Sequence, residues 1–302
     1  MSDRNDRFVV LRDGRRLCYR VAGSGTPVLM IIGLGLHLTA WPEAMIAALA
    51  ARGHQVVTFD NRDVGRSSRL AAAPPSRLRL FLRRARPCDY ALDAMAEDAA
   101  ELLDGLGIPA AHVVGMSMGG MIGQVLAASH PDRVLSLTSL FSTTGARSVG
   151  QPAARMLLRM MRPPPRTRAA ARARYLGTLR LIGGTGHPID AEALGRYAEA
   201  AWDRGAPNPH EGVARQIMAI LKSGDRTAQL RGIAAPTLVV HGDRDPMVHP
   251  SGGAATAEAI PGARRVVIPG MGHDLAPSVV PELVDLIARH VAGDRTRTAE
   301  AG

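Results

Sequence analysis

The stretch HVVGMSMGGMIG, residues 112–123, places Ser117 between Gly115 and Gly119, after a short apolar run and before a helix-compatible segment. A Gly-x-Ser-x-Gly turn between strand and helix is so sharp that its central residue takes a strained backbone. The glycines let strand and helix pass without Cβ clashes. Such a turn holds the hydroxyl out at the carboxyl edge of a sheet and at a helix N-terminus, where free N–H groups favour a developing negative charge. Ser117 is therefore the expected nucleophile. A neutral hydroxyl needs a base, and the base needs a carboxylate to orient it. Asp243 and Asp245, in DRDPMVHP, both stand just past the apolar run TLVVHG (237–242). His273, in MGHDL, follows the run VVIPG and precedes the last helical segment. His249 is its rival, but it lies close behind the two aspartates with no strand between. The backbone N–H groups of Met118 and of Leu34, in IIGLGLH, are the expected oxyanion donors. This set would carry acyl transfer through serine and calls for neither cofactor nor metal.

These groups need a scaffold that brings several loops to one edge. PVLMII (27–32) is a continuous apolar run, the signature of a strand buried on both faces, and HQVVTF (54–59), HVVG, VLSLTSLF (134–141), TLVVHG and RRVVIPG (264–270) also read as strands. Helical patterns separate them: Trp41 to about Arg52, 90–107, the segment after Ser117, and PELVDLIARHVA (281–292). Strands alternating with helices predict an α/β protein with a mostly parallel central sheet flanked by helices. The alternation breaks at 145–230, where patterns are helical only, so a helical insert interrupts a sheet domain formed by 1–144 and 231–294. The polar tail, 295–302, is expected to be disordered.

The chain has 302 residues, 46% hydrophobic and 21% charged, which is enough to build a large core. It has no apolar run long enough for a membrane span. The opening MSDRNDRFVV lacks the apolar stretch of a signal peptide, and Cys18 and Cys88 are too isolated for a disulfide framework or metal site, so a cytoplasmic protein is expected. The net charge of +10 comes almost wholly from arginine, concentrated in 76–87 and 159–175. Neither cluster interleaves with aromatic residues, so nucleic acid is not an expected partner. In the first, Leu78, Phe81, Leu82 and Ala85 share one helical face opposite arginines. It reads as a lid or an interfacial helix in weak contact with a membrane, or as a plain solvated one.

The sequence resembles the α/β-hydrolase superfamily over about 8–145 and 235–292. VTFDNRDVGRSS resembles the family's D-x-R-G-x-G-x-S segment, with Asp63 where glycine is common. HGDRDP matches H-G-x-x-D, which assigns the acid to Asp245 rather than Asp243, and GMGHDL matches the segment bearing the catalytic histidine. Ile32-Gly33 replaces the frequent His-Gly before the oxyanion donor. The resemblance is strongest to capped bacterial carboxylesterases of the kind that includes aclacinomycin methylesterase, and it implies a helical cap over 145–230. It also implies a serine carboxylesterase acting on a small-molecule ester. Ser117 argues against dehalogenases and epoxide hydrolases of this fold, which use aspartate. A carbon–carbon bond hydrolase, a lactonase, a cofactor-free perhydrolase and a catalytically silent ligand receptor are the alternatives. Leucine, methionine and isoleucine in the insert suggest an apolar pocket, with Met160 and Leu181 among its expected lining, although core packing would give the same pattern.

Overall fold

The computed structural model describes residues 5–160, 162–205 and 209–294. Its strands are β1 (Arg7–Val10), β2 (Arg16–Ala22), β3 (Thr26–Ile31), β4 (His54–Phe59), β5 (Ala111–Met116), β6 (Val134–Leu140), β7 (Thr237–Gly242) and β8 (Arg264–Ile268). They form one sheet in the order β1-β2-β4-β3-β5-β6-β7-β8. β2 runs antiparallel to both neighbours, and every pairing from β4 to β8 is parallel. The chain steps from β3 outward to β4, then back across to β5. That reversal opens a crevice beyond the carboxyl ends of β3 and β5, where ligands of open α/β sheets bind.

Both faces of the central strands β3, β5, β6 and β7 are covered, which is why those strands are largely apolar, whereas the edge strands β1 and β8 keep exposed positions. Val28, Met30 and Ile32 pack with Met45 and Leu49 of α1 (Glu43–Ala51) and with Leu283, Val284 and Ile287 of α11 (Val280–Val291). Leu29 and Ile31, pointing the opposite way, meet Leu102 and Leu103 of α3 (Leu92–Gly105) and Ile122 and Val125 of α4 (Met118–Ser129). Between β4 and α3 lies α2 (Arg77–Phe81), shorter than its sequence pattern suggests. It stops at Leu82, and Arg83 turns to a positive φ of 52°, so Ala85 never joins the helical face.

Between β6 and β7 come α5 (Ala154–Met160), α6 (Arg168–Ile182), α7 (Ala191–Arg204), α8 (Pro209–Ser223) and the short α9 (Thr227–Leu230); α10 (Ser251–Ala259) follows β7. The residues after α6 are fastened to the loop after β8. His273 N–H donates to Ile182 O at 2.6 Å, Gly186 N–H to Gly270 O at 3.1 Å, and Gly184 bridges Met271. At the end of α7, Arg204 donates to Asp60 Oδ2 at 2.6 Å and Asp6 Oδ2 at 3.0 Å, all three side chains being buried. The expected tail, 295–302, lies outside the described residues.

The glycines around the β5–α4 turn set how closely that helix approaches the sheet. A Cβ on Gly119 would lie 2.0 Å from Ile31 O, whereas one on Gly123 would meet only side-chain methyls at 3.0 and 3.2 Å. Gly119→Ala is expected to cost about 3 kcal/mol or more, because backbone must move. Gly123→Ala should cost less than about 1 kcal/mol, helped by its better helix propensity. Thermal melts of the two variants check this; equal melting temperatures would mean that α4 does not need that close approach.

Candidate active site

Ser117 sits between β5 and α4 with φ 56° and ψ −120°, a conformation costly for a residue with a side chain. Its surroundings hold it there. Ser117 N–H donates to Leu140 O at 2.9 Å, and Ser117 O accepts from Met121 N–H at 3.2 Å and from Ser142 Oγ at 2.9 Å. A Cβ on Gly115 would lie 2.3 Å from Gly119 O, so strand and helix touch through glycine backbone on either side of the serine.

His273 and Asp245 arrive from the loops after β8 and β7. His273 Nε2 lies 3.0 Å from Ser117 Oγ, and Nδ1 lies 2.6 Å from Asp245 Oδ2. With the carboxylate ionised, Nδ1–H donates to it and Nε2 is left to accept from the serine hydroxyl. The other oxygen, Asp245 Oδ1, accepts from Met247 N–H at 2.8 Å and Val248 N–H at 2.9 Å. Burial would raise the Asp245 carboxyl, but the His273 charge and hydrogen bonds from His241, His273 and Val248 N–H outweigh it and hold it well below the usual carboxylate range. Phe141, wholly buried at the end of β6, packs its ring 4.7 Å from the His273 ring, tilted by 60°.

The loop after β3 comes up beside the serine. A Cβ on Gly33 would stand 3.4 Å from that of Ser117. The N–H groups of Leu34 and Met118 donate to no acceptor among the described residues. Gly35 N–H, next along, is taken by Gln216 Oε1 at 2.8 Å, while Gln216 Nε2 donates to Arg62 O at 2.9 Å. Gln216 is fully buried on α8, so an inserted helix fixes the loop that carries Leu34.

Ser117, His273 and Asp245 are thus brought together, with Met118 and Leu34 beside the serine. The two rivals go elsewhere: Asp243 is exposed and accepts from Gly270 N–H at 2.6 Å, and His249 is exposed and bonded to Ser251. Asp63, at the position where glycine is common, has φ 71°, which aspartate tolerates better than most side chains. Its carboxylate accepts from Leu70 N–H at 3.0 Å and from Arg215 of α8 at 3.2 Å. Leu181 is 37% exposed, contrary to its expected place in a pocket. The side chain of Met160 lies outside the described residues. The inner side of the insert is instead Met156, Leu179 and Ile182, packed with Tyr175 and with Met247 of the acid loop. Sequence reasoning assigned no place at the site to Gln216, Phe141 or His241. His241 Nε2–H donates to Val248 O at 2.9 Å and lies 3.3 Å from Asp245 Oδ2, so it braces the acid loop. Its place at the end of β7, just before the acid, was the available signal.

Comparison with known proteins agrees with this architecture. The family described as alpha/beta hydrolase fold matches residues 26–277. The chain is 33% identical over 288 residues to rhodomycin D methylesterase of Streptomyces peucetius, covering 87% of this chain and 90% of that protein. It is 34% identical over 289 residues to the enzyme of the same name from Streptomyces sp. strain C5, with the same coverage. The crystal structure of a hydrolase from Pseudomonas aeruginosa PA01 superposes with a TM-score of 0.70 at 27% identity, over 97% of this chain and all of that one. With its sheet order, its turn at Ser117 and a family match over most of its length, the chain belongs to the α/β-hydrolase family.

Proposed function

We propose that the protein is a serine esterase that cleaves carboxylic esters of small to medium apolar molecules, with Ser117, His273 and Asp245 as its triad. The observation that carries this reading is the continuous chain from Ser117 Oγ through His273 to Asp245, at 3.0 and 2.6 Å, seated on a strained strand–helix turn. Ser117 Oγ attacks the ester carbonyl carbon as its proton passes to His273 Nε2. The oxyanion forms against the N–H groups of Leu34 and Met118. His273 then protonates the leaving alcohol, and the acyl-enzyme remains. Water adds to the acyl carbon as its proton passes to the same imidazole, which returns it to Ser117 as the acid leaves. Asp245 holds the imidazole in the required tautomer and balances its charge.

The inserted helices α5–α8 form a cap whose apolar inner side contributes the substrate pocket. The cluster of Met156, Leu179, Ile182 and Met247 reaches the acid loop, which supports that placement. Methyl esters of larger apolar acids are the first substrates to test, given the similarity to rhodomycin D methylesterases. A panel of methyl, acetyl and longer acyl esters is the direct assay. Ser117→Ala should abolish turnover across the panel while leaving the melting temperature within a few degrees. Parent-like turnover in that variant would remove the serine from the mechanism.

The two aspartates of one loop should separate sharply. Asp245→Asn is expected to lower kcat by about 10⁴-fold, the scale for a triad carboxylate, because the amide no longer enforces the tautomer. Asp243→Asn should keep most activity, since its exposed side chain accepts from Gly270 N–H and pairs with Arg244 but does not reach His273. A larger loss from the Asp243 variant would reverse the assignment.

Gln216 positions the oxyanion loop without touching substrate. Gln216→Leu leaves Gly35 N–H and Arg62 O unpaired. It should lower kcat about 10–100-fold, less than the ~10²–10³-fold of losing an oxyanion donor outright, with KM little changed. A trifluoromethyl ketone inhibitor, which forms the same oxyanion, should weaken in parallel. A fall in melting temperature with kcat and inhibitor affinity unchanged would make the residue structural only.

A further inference from the structure

The charge of this protein is unevenly placed. Residues 64–88 contain seven arginines and 133–189 contain ten, and neither stretch contains one aspartate or glutamate. The rest of the chain, twenty basic against twenty-seven acidic residues, is net negative. These two stretches include α2, α5 and α6, and the fold brings them together: the Arg77 charge bears on Arg174 of α6, whose guanidinium binds the carbonyls of Arg162 and Pro163 in the α5–α6 turn. Many arginines elsewhere pair with carboxylates, as Arg15 and Arg62 do with Asp98. Within the two stretches Arg79, Arg168 and Arg172 also pair, with Asp89, Glu199 and Asp203, but Arg77, Arg83, Arg84, Arg155, Arg162 and Arg166 are all exposed, and none of these six forms a salt bridge among the described residues. Large apolar side chains stand out among them: Phe81 is 80% exposed, Leu158 68%, Leu78 65%, Leu157 50% and Leu82 48%.

We propose that this surface, formed by α2 with α5 and the start of α6, docks the enzyme on an anionic lipid bilayer. Charge complementarity selects the partner's sign, because unpaired guanidinium groups attract lipid phosphates. The aliphatic side chains and Phe81 select a bilayer over a nucleic acid. An interface takes apolar groups into its acyl boundary, while a phosphate backbone offers them nothing and a base-stacking platform would need more aromatic rings. Two of these helices, α5 and α6, also turn inward to the Met156, Leu179 and Ile182 cluster, which packs against Met247 two residues after Asp245. Docking would therefore place the proposed cap against the phase in which amphiphilic esters dissolve. The docking itself does not depend on which ester is cleaved, or on turnover at all.

The test is flotation of the full chain with vesicles of phosphatidylcholine alone, or of phosphatidylcholine with phosphatidylglycerol, at low and high salt. The protein is expected to float with anionic vesicles at low salt, to be released by high salt, and to ignore neutral vesicles. Arg83→Gln with Arg84→Gln should weaken partition by about fivefold per charge removed. Phe81→Ser with Leu82→Ser should weaken it by about tenfold at unchanged charge. Both double variants change exposed side chains only, so melting temperature and turnover of a water-soluble short ester should match the parent. Loss of esterase activity in every form would count against the function proposed above and leave the flotation result readable. Absence of binding to anionic vesicles, parent-like binding by both double variants, or tight binding to DNA or RNA but not to vesicles would overturn the proposal.

Discussion

The geometry of the candidate active site depends on keeping one residue in a backbone conformation that its side chain resists. Ser117, at φ 56° and ψ −120°, stores strain of about 1–3 kcal/mol on general grounds. It persists because both flanking elements are fixed independently. β5 is paired in register with β3 and β6, and α4 is pressed on β3 at the bare backbone of Gly119. A turn that cannot relax points its side chain in one direction only. Everything else in the site is arranged to meet that hydroxyl: the loop after β3 beside it, the His273 ring in front, and Phe141 behind the imidazole.

The sheet core supplies Ser117, Asp245 and His273, yet it does not hold all of them unaided. Gln216 from α8 occupies Gly35 N–H, and the carbonyl of Ile182, ending α6, receives His273 N–H. A third attachment, the buried cluster of Arg204 with Asp60 and Asp6, seats the end of α7. Asp60 also accepts from Leu38 N–H at 2.7 Å, so this cluster too reaches the segment after β3. Removing one partner from such a buried ion pair costs more than the pair contributes, because the remaining charge is stranded.

Most of the sheet was legible in the sequence because strands covered on both faces leave unbroken apolar runs. Ser117 and His273 were legible for a similar reason: each lies within a local pattern of strand, glycine-rich turn and helix. Choosing between Asp243 and Asp245 required resemblance, since both stand past the same strand; burial separates them in the fold. Gln216 left no trace, because its contact with Gly35 spans 181 residues and depends on how α8 docks. Leu181 was misjudged for a related cause. In α6, apolar residues at Leu176, Leu179, Leu181 and Ile182 do not by themselves say which face turns inward. The pattern in 76–87 kept its helical period beyond Arg83, but the positive φ there ends the helix.

The seam between Gly183–His187 and Pro269–His273 has a bearing on whether the insert can be exchanged. Glycines face each other across it with no room for a methyl: a Cβ on Gly272 would lie 1.9 Å from Ile182 O, and one on Gly184 would lie 2.3 Å from Gly270 O. His187 Nε2 closes the seam on Pro269 O at 3.1 Å. Substitutions on one side are therefore constrained by the other, although the two are some eighty residues apart in the chain. The helical insert and the histidine loop therefore form one mechanical unit: exchanging the insert alone would take away the partners that the loop bearing His273 finds in Ile182, Gly184 and Gly186.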